Sequence, residues 1–208
     1  RGYLYAAAPA TNSVFVLRDG ETIQEVAAGL DPLSLSVDEA DGTLYVANYV
    51  SQSLLAISPA GWETEELALS HPPQAVGLDA TRRRLYAGND IVTLDGPRLA
   101  GSFSLQGMTV DSAPAPAQIA VDAIKQRLFV VAYNGVPGSN GGMVIYVLDA
   151  ASGRQLTGQL GGLTTTAMTL DVEGRRLYST AGRYGQYKLY VDDLDTLERV
   201  GEISYRVP

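Results

Sequence analysis

The chain has 208 residues, 46% of them hydrophobic and 18% charged, with a net charge of −8 and no cysteine. This composition is typical of a folded protein, and its acidic balance disfavours binding to the phosphates of nucleic acids. The lack of cysteine excludes disulfides, thiolate metal sites and cysteine nucleophiles, and no apolar run approaches the roughly 18 residues of a membrane span, so we expect a soluble chain.

A leucine followed by an aromatic residue opens five short apolar runs along the chain. The five pairs are Leu4-Tyr5, Leu44-Tyr45, Leu85-Tyr86, Leu128-Phe129 and Leu177-Tyr178. Successive leucines therefore lie 40, 41, 43 and 49 residues apart. A recurring period of this length indicates a repeat architecture.

Further landmarks keep the same register from the second unit onward. An aspartate stands seven residues before each aromatic residue, at Asp38, Asp79, Asp122 and Asp171. Six residues before the aspartate comes a proline in three units, whereas Thr165 takes this place in the last. Each aspartate is expected to open a turn and to accept hydrogen bonds from backbone N–H groups there.

Each unit is predicted to contain four strands. The first ends at the aspartate, the second carries the Leu–aromatic pair, the third is apolar, and the fourth is polar, as an exposed sheet edge requires. The predicted units are 1–31 (partial), 32–72, 73–115, 116–164 and 165–208. Four-stranded antiparallel units of this length predict an all-β fold, a β-propeller, with residues 1–208 forming one domain.

The second unit resembles a known repeat. Leu44-Tyr45-Val46-Ala47-Asn48, preceded by Pro32 and Asp38, is similar to the repeat of the YVTN β-propeller family, and Leu85-Tyr86-Ala87-Gly88-Asn89 is a second copy. The resemblance implies a fold rather than an activity. It points to surface and periplasmic binding proteins, while related propellers include lactonases and quinoprotein dehydrogenase subunits.

The count of units predicts an incomplete ring. The first unit lacks its Pro-to-Asp strand, and the chain ends where a new first strand is expected. We therefore expect these five or so units to belong to a larger ring of six to eight blades, because propellers close by pairing their terminal strands. The alternative is a five-bladed ring with one weak blade.

Candidate binding residues lie in the connections predicted to share one face of the blades. Such loops carry function because a rigid scaffold presents them. The candidates are Asn48, Tyr49, His71, Asn89, Asp90, Tyr133, Asn134, Asn140, Arg183, Tyr184 and Tyr187. His71 is the one histidine of the chain, and spacing identifies no partner for it. The alternative interpretation is that these loops are glycine-rich excursions in which the tyrosines pack locally.

These features favour a non-catalytic binding or scaffold propeller that presents its loop face to a protein, a glycan or a small polar ligand. The alternative is a propeller enzyme or enzyme subunit, either a lactonase-like hydrolase or a quinoprotein dehydrogenase component. A third possibility is a structural module of a larger assembly. No catalytic residue, metal ligand or cofactor is assigned. We expect a periplasmic, extracellular or cell-surface location, although no signal peptide is visible.

Overall fold

The computed structural model describes residues 2–105, 116–133, 142–157, 160, 164–183 and 186–206, and only the backbone of residues 183 and 206. Within these ranges every regular element is a β-strand, which confirms the all-β class. The described part of the chain holds no helix with the length and apolarity that a membrane crossing needs.

The strands form antiparallel sheets in two compact units of the chain. The unit Arg1–Ser102 contains three sheets. The first sheet consists of β1 (Leu4–Ala8), β2 (Ser13–Arg18) and β3 (Glu21–Ala27). The second consists of β4 (Pro32–Val37), β5 (Leu44–Asn48), β6 (Ser53–Ile57) and β7 (Thr64–Ala68). The third consists of β8 (Val76–Asp79), β9 (Arg84–Ala87), β10 (Asp90–Thr93) and β11 (Arg98–Ser102).

The unit Phe103–Pro208 contains the fourth and fifth sheets. The fourth consists of β12 (Gln118–Asp122), β13 (Arg127–Tyr133) and β14 (Met143–Asp149). The fifth consists of β15 (Thr165–Asp171), β16 (Arg176–Arg183), β17 (Gln186–Asp193) and β18 (Arg199–Arg206). In every sheet the strands follow chain order, and each pairs with the next in an antiparallel ladder.

The predicted strand order is confirmed for four of the sheets. The second, third and fifth sheets have the four expected strands, and the first sheet has the three expected of a partial unit. In the fourth sheet, the described residues after β14 pair with it through the bridges Leu148–Gln155 and Ile145–Leu160, and the Leu156 N–H donates to the Val147 carbonyl at 2.8 Å. Other residues of this segment lie outside the described ranges, so a fourth strand in this unit stays a prediction.

Alternation along the strands gives each sheet two different faces. Successive side chains point to opposite sides of a strand. The aromatic residue of each Leu–aromatic pair therefore lies on one side, which we call the aromatic face, and the leucine lies on the other, the leucine face. Both faces of an inner sheet can thus be buried by its two neighbours, which is why the Leu–aromatic strand is apolar throughout.

The sheets of one unit pack with the aromatic face of one sheet against the leucine face of the next. A cluster joins the second sheet to the third through Tyr45, Ala47 and Leu54 with Val76, Leu85, Ala87 and Val92. A matching cluster joins the fourth sheet to the fifth through Phe129, Val131, Ile145 and Val147 with Met168, Leu177 and Leu194. The leucine of every pair except Leu4 is at most 1% exposed, so the repeated positions are core.

The turn after each first strand has one construction in four sheets. The Oδ1 atom of the aspartate accepts a backbone N–H two or three residues later, at 3.0 Å in Asp38, 3.1 Å in Asp79 and Asp122 and 2.8 Å in Asp171. This confirms the predicted capping role. Three residues before each aromatic residue the backbone has a positive φ, at Gly42 (79°), Arg83 (50°), Gln126 (57°) and Arg175 (53°).

Candidate functional site

Two of the predicted site residues, His71 and Asp90, are in direct contact. Asp90 is the first residue of β10 and its side chain is fully buried, whereas the His71 side chain is 38% exposed. His71 Nδ1 lies 2.9 Å from Asp90 Oδ1. Asp90 Oδ2 accepts the backbone N–H groups of Ser70, at 2.7 Å, and of His71, at 3.0 Å. One carboxylate therefore holds both the connection after β7 and the imidazole ring.

This contact assigns the tautomer of the neutral His71 ring. A carboxylate oxygen accepts hydrogen bonds, so Nδ1 carries the proton that faces Asp90. In the neutral ring Nε2 is then the acceptor, and within the described ranges it makes no hydrogen bond. An imidazole oriented by a buried carboxylate is the arrangement of a general base. The pair can therefore accept a proton from a bound hydroxyl or water.

Asn48 belongs to a buried network instead of an open surface. Its side chain is fully buried at the end of β5. Asn48 Nδ2 donates to Ser53 Oγ at 3.2 Å, and Ser53 Oγ donates to Glu66 Oε1 at 2.5 Å. Asn48 Oδ1 is buried without a hydrogen-bond partner. The amide also lies against Gly29, where an added Cβ would come within 2.7 Å of Nδ2. No ligand reaches this amide in the present arrangement.

The other predicted residues of the first unit lie near strand ends. Tyr49 follows β5, is half-buried, and donates its backbone N–H to the carbonyl of Asp31 at 2.9 Å. Asn89 is half-buried in the tight connection between β9 and β10. Of the predicted residues of this unit, His71 and Asp90 are brought into direct side-chain contact with each other.

The predicted residues of the second unit are described in part. Tyr133 ends β13 and is 37% exposed, and Tyr187 is the second residue of β17 and is 36% exposed. The backbone of Arg183 ends β16 and pairs with Gln186. Asn134, Asn140 and Tyr184 lie outside the described residues.

The aromatic face of the fifth sheet is exposed over most of its width. Its half-buried members are Tyr178, Leu189 and Val191, and its exposed members are Tyr187 (36%), Ile203 (60%) and Tyr205 (48%). Tyr187 and Tyr205 are opposite each other on β17 and β18, and their rings stack with centroids 5.5 Å apart and planes 16° apart. The ring of Tyr187 also covers Gly182, where an added Cβ would meet its Cδ1 at 2.2 Å.

A shallow depression of about 320 Å³ lies beside the paired ends of β17 and β18. It is lined by Gln186, Tyr187, Lys188, Ser204 and Tyr205. The Lys188 ammonium pairs with the exposed Glu202 carboxylate at 2.6 Å. The hydrogen bond that the Lys188 ammonium donates to Glu202 is the main cause that raises the pKa of Lys188.

Arginines with positive φ join neighbouring sheets through the turn aspartates. Arg83 forms an ion pair with the fully buried Asp38 and also lies 3.4 Å from Asp95. In the other unit, Arg175 bonds to the fully buried Asp122 at 2.7 and 3.0 Å and to Asp195 at 3.0 Å. Each arginine therefore links its own turn to the turn of the preceding sheet.

These contacts alter the titration of Asp122. Burial of its carboxylate raises the pKa, but hydrogen bonds from the Arg175 guanidinium and from the Lys125 backbone N–H outweigh burial, and the pKa is lowered overall. The Asp122 hydrogen bond raises the pKa of Arg175 in turn. Asp122 is thus held as a carboxylate that stabilises the fold, which is a structural role.

Sequence reasoning missed several contacting residues. Tyr205, Lys188, Gln186 and Ser204 come together with Tyr187 because of the register between β17 and β18, which no spacing in the sequence specifies. The Arg83-Arg84-Leu85-Tyr86 and Arg175-Arg176-Leu177-Tyr178 segments did carry a signal, since both place an arginine three residues before the aromatic residue. The described residues contain no group of three or more acidic or histidine side chains that could hold a metal ion.

Comparison with known proteins adds a fold similarity. No protein-family model and no curated protein matches the chain. Its structure is similar to that of Kuenenia stuttgartiensis hydrazine synthase, with a TM-score of 0.77 and 15% sequence identity. The match covers 99% of this chain but 62% of that chain, so this chain spans less than two thirds of the neighbour's length. At this identity the similarity concerns the fold alone.

Proposed function

We propose that the chain is a non-catalytic binding or scaffold β-propeller of the YVTN type, whose sheets are its blades. Support comes from the fixed period of the Leu–aromatic pairs, the antiparallel sheets of three and four strands, and the fold similarity to hydrazine synthase. The resemblance of the Leu44–Asn48 segment to the YVTN repeat favours a periplasmic, extracellular or cell-surface location.

The single observation that carries a binding role is the exposed aromatic face of the fifth sheet. Equivalent faces in the second and fourth sheets are covered by the next sheet, but Tyr187, Ile203 and Tyr205 are each more than one third exposed. A contiguous exposed apolar patch with polar groups at its rim is typical of a protein interaction site. Tyrosines supply contact area with little loss of side-chain entropy. The partner in this proposal is a protein. Tyr187, the second residue of β17, extends the exposed surface towards the connection between β16 and β17.

Site-specific photocrosslinking tests this role. A photoreactive phenylalanine derivative would replace Ile203, and in a matched control it would replace Ile124, a 62% exposed isoleucine in the turn after β12. In an extract of the source cells, we expect a discrete adduct at position 203 that mass spectrometry identifies, lost on adding Tyr205→Glu. An equal yield at position 124, or no adduct at 203, would contradict the proposal.

The His71–Asp90 pair favours a second candidate function, a propeller hydrolase. Here His71 Nε2 would accept a proton from water that attacks an ester or lactone carbonyl, while Asp90 holds the ring. The test is hydrolysis of a lactone panel and of p-nitrophenyl acetate by the full chain and by His71→Gln. Loss of activity in the variant supports this function. Activity that is equal in both chains excludes His71 as the base.

A further inference from the structure

We propose that the edge strand of the second sheet, β7, binds an extended basic segment of another protein, which pairs with it as an antiparallel strand. Backbone hydrogen bonds along β7 hold the segment, and its lysine or arginine side chains neutralise the glutamates of β7. This surface lies on a different sheet from the aromatic face that carries the proposed function, and it is independent of that role.

The ladder between β6 and β7 is regular from end to end. Each residue of β7, from Thr64 to Ala68, lies opposite one residue of β6. The last strands of the first, third and fifth sheets instead pair with a shift in register. These shifts lie at Val16/Leu17, Ile91/Val92 and Val191/Asp192. Such irregularities protect a sheet edge because they bend it away from an incoming strand. The backbone of β7 lacks this protection, so it can pair with another strand.

Alternate residues of β7 direct their backbone groups away from the sheet. The Glu63 carbonyl and the Leu69 N–H, just beyond the two ends of β7, bond at 2.9 Å to residues that flank β6. Because pairing alternates along an antiparallel strand, the outward residues are Thr64, Glu66 and Ala68. All three are exposed, and their outward backbone groups bond to no residue in the described part of the chain. The edge therefore offers both donors and acceptors to a partner strand.

The glutamates of this edge specify the charge of the partner. Glu65 lies on the aromatic side of the sheet and Glu66 on the leucine side, and both are exposed. Neither they nor the exposed Glu63 form an ion pair with any described residue. Glu66 Oε1 accepts the Ser53 hydroxyl at 2.5 Å, which orients this carboxylate and leaves Oε2 for a cation. Opposite charges that face each other across a ladder stabilise it, so a basic strand is favoured.

The register between the strands gives the order of side chains in the partner. Glu66, Glu65 and the half-buried Leu67 lie opposite consecutive residues of an antiparallel strand. Leu67 packs on the core that joins the second and third sheets, so an apolar residue fits opposite it. Read from its amino end, the partner therefore presents an apolar residue followed by two basic residues.

A second copy of this chain fits less well. When two β7 strands pair through all of their outward residues, Glu66 of one copy lies opposite Glu66 of the other. Like charges directly opposite each other destabilise a ladder. The net charge of −8 adds repulsion between copies. The glutamates thus protect the edge from acidic and neutral strands, while a basic strand remains favoured.

The test titrates the isotope-labelled full chain with the capped peptide Thr-Thr-Val-Lys-Lys-Thr-Thr and follows its amides by nuclear magnetic resonance. The first lysine of the peptide lies opposite Glu66 and the second opposite Glu65. At saturating peptide we expect the amides of Thr64, Glu66 and Ala68 to exchange at least about tenfold more slowly, and those of β11 and β18 to stay unchanged. A peptide with two glutamates in place of the lysines should bind at least about tenfold more weakly.

Two N-methylated peptides separate strand pairing from charge attraction, because both keep the charge of the lysine peptide. N-methylation of the first lysine removes an N–H that faces β7, and it should weaken binding about fivefold or more. N-methylation of the second lysine removes an N–H that faces away from β7, so the affinity should change by less than about twofold. These peptides need no substitution in the protein, so their result does not depend on the folding of a variant.

Charge reversal in the protein tests the side-chain contacts. The variant Glu65→Lys/Glu66→Lys should prefer the glutamate peptide to the lysine peptide. The control Glu21→Lys/Glu25→Lys makes the same change of charge at exposed positions of β3, the irregular edge of the first sheet. Because salt at about 0.15 M screens charges more than about 8 Å apart, this control should leave the affinity for the lysine peptide within about twofold.

Several outcomes would overturn the inference. Equal affinities of the two N-methylated peptides would mean that charge alone holds the peptide. Slower exchange at β11 or β18 instead of β7 would place the peptide on another edge, and a lysine peptide that does not bind would exclude the site. A dimer in sedimentation whose formation slows exchange of the outward β7 amides would make a second copy the occupant. Crosslinking at position 203 tests the fifth sheet and is independent of all these results.

Discussion

The side-chain amide of Gln118 on β12 bonds to both backbone groups of Met168 on β15. Its Oε1 accepts the Met168 N–H at 2.8 Å, and its Nε2 donates to the Met168 carbonyl at 2.9 Å. The strands β12 and β15 belong to different sheets and form no ladder with each other. The side chain of Gln118 supplies two hydrogen bonds between them instead. The bond fixes how the fourth and fifth sheets are positioned along their strands.

Gln118→Ala should destabilise the unit Phe103–Pro208. The substitution leaves both backbone groups of the nearly buried Met168 without their partner, which costs about 2 kcal/mol. Urea-induced unfolding measures the change. In the control Gln24→Ala, an exposed glutamine bonded only to the neighbouring Glu25 carbonyl is removed, and we expect a change below about 0.5 kcal/mol. Equal effects of the two substitutions would argue against a role for Gln118 in sheet packing.

Arg175→Ala should be among the most destabilising surface substitutions in the chain. It removes the guanidinium from the fully buried Asp122 and leaves a buried carboxylate unpaired, with an expected loss of about 3 kcal/mol. Thermal unfolding followed by circular dichroism provides the measurement. Arg98→Ala, on the fully exposed strand β11, is the matched control and should be close to neutral. If Arg175→Ala lowered the free energy of unfolding by less than about 1 kcal/mol, the prediction would be wrong, because water would then solvate the Asp122 carboxylate in place of the guanidinium.

Acid should remove the stabilisation that Asp122 provides. Because the folded-state pKa of Asp122 is lowered, its contribution is complete above the ordinary aspartate pKa of about 3.9 and is lost as pH falls through the lower folded value. The difference in unfolding midpoint between wild type and Asp122→Asn should therefore be constant near neutral pH and shrink below about pH 4. A difference that widens on acidification would mean that the folded-state pKa is raised instead.

Gly182→Ala should disturb the stacked tyrosines of the fifth sheet. The added Cβ would meet Tyr187 Cδ1 at 2.2 Å, so the ring has to move away from its position beside Tyr205. We expect a loss of about 1–2 kcal/mol and a changed near-ultraviolet circular dichroism signal. Gly201→Ala in the same sheet is the control, because its nearest neighbour is Val191 at 3.5 Å, an ordinary contact. Unchanged spectra in Gly182→Ala would show that the tyrosine pair tolerates another packing.

Much of the fold could be predicted because the sequence repeats its local chemistry. Period-2 alternation around Leu44-Tyr45 and Leu85-Tyr86 fixes strands with two buried faces, and the aspartate seven residues before each aromatic residue identifies the turn. The prediction of a regular fourth strand stays a prediction where the repeat is longest, after β14, because the described ranges cover that segment only in part. There the pairing consists of isolated bridges at Gln155 and Leu160.

The contacts of the candidate sites could not be predicted, because they depend on tertiary packing. His71 and Asp90 are 19 residues apart, and their contact depends on how the connection after β7 folds over the start of β10. Asp38 and Arg83 are 45 residues apart, and only the packing of the second sheet on the third brings them together. Spacing alone assigned a single role to these aspartates, the turn cap. Their second role, the ion pair with an arginine of the next sheet, depends on how the two sheets pack.

The pairing between turns also bears on the order in which the chain folds. Asp38 precedes Arg83 by 45 residues and Asp122 precedes Arg175 by 53, so during synthesis each carboxylate leaves the ribosome well before its arginine. Until then, burying the carboxylate is unfavourable, because a buried charge needs its counter-ion. The second and fourth sheets can therefore bury these two carboxylates at low cost only after the third and fifth sheets have formed. Asp79, by contrast, finds its counter-ion Arg82 within its own turn.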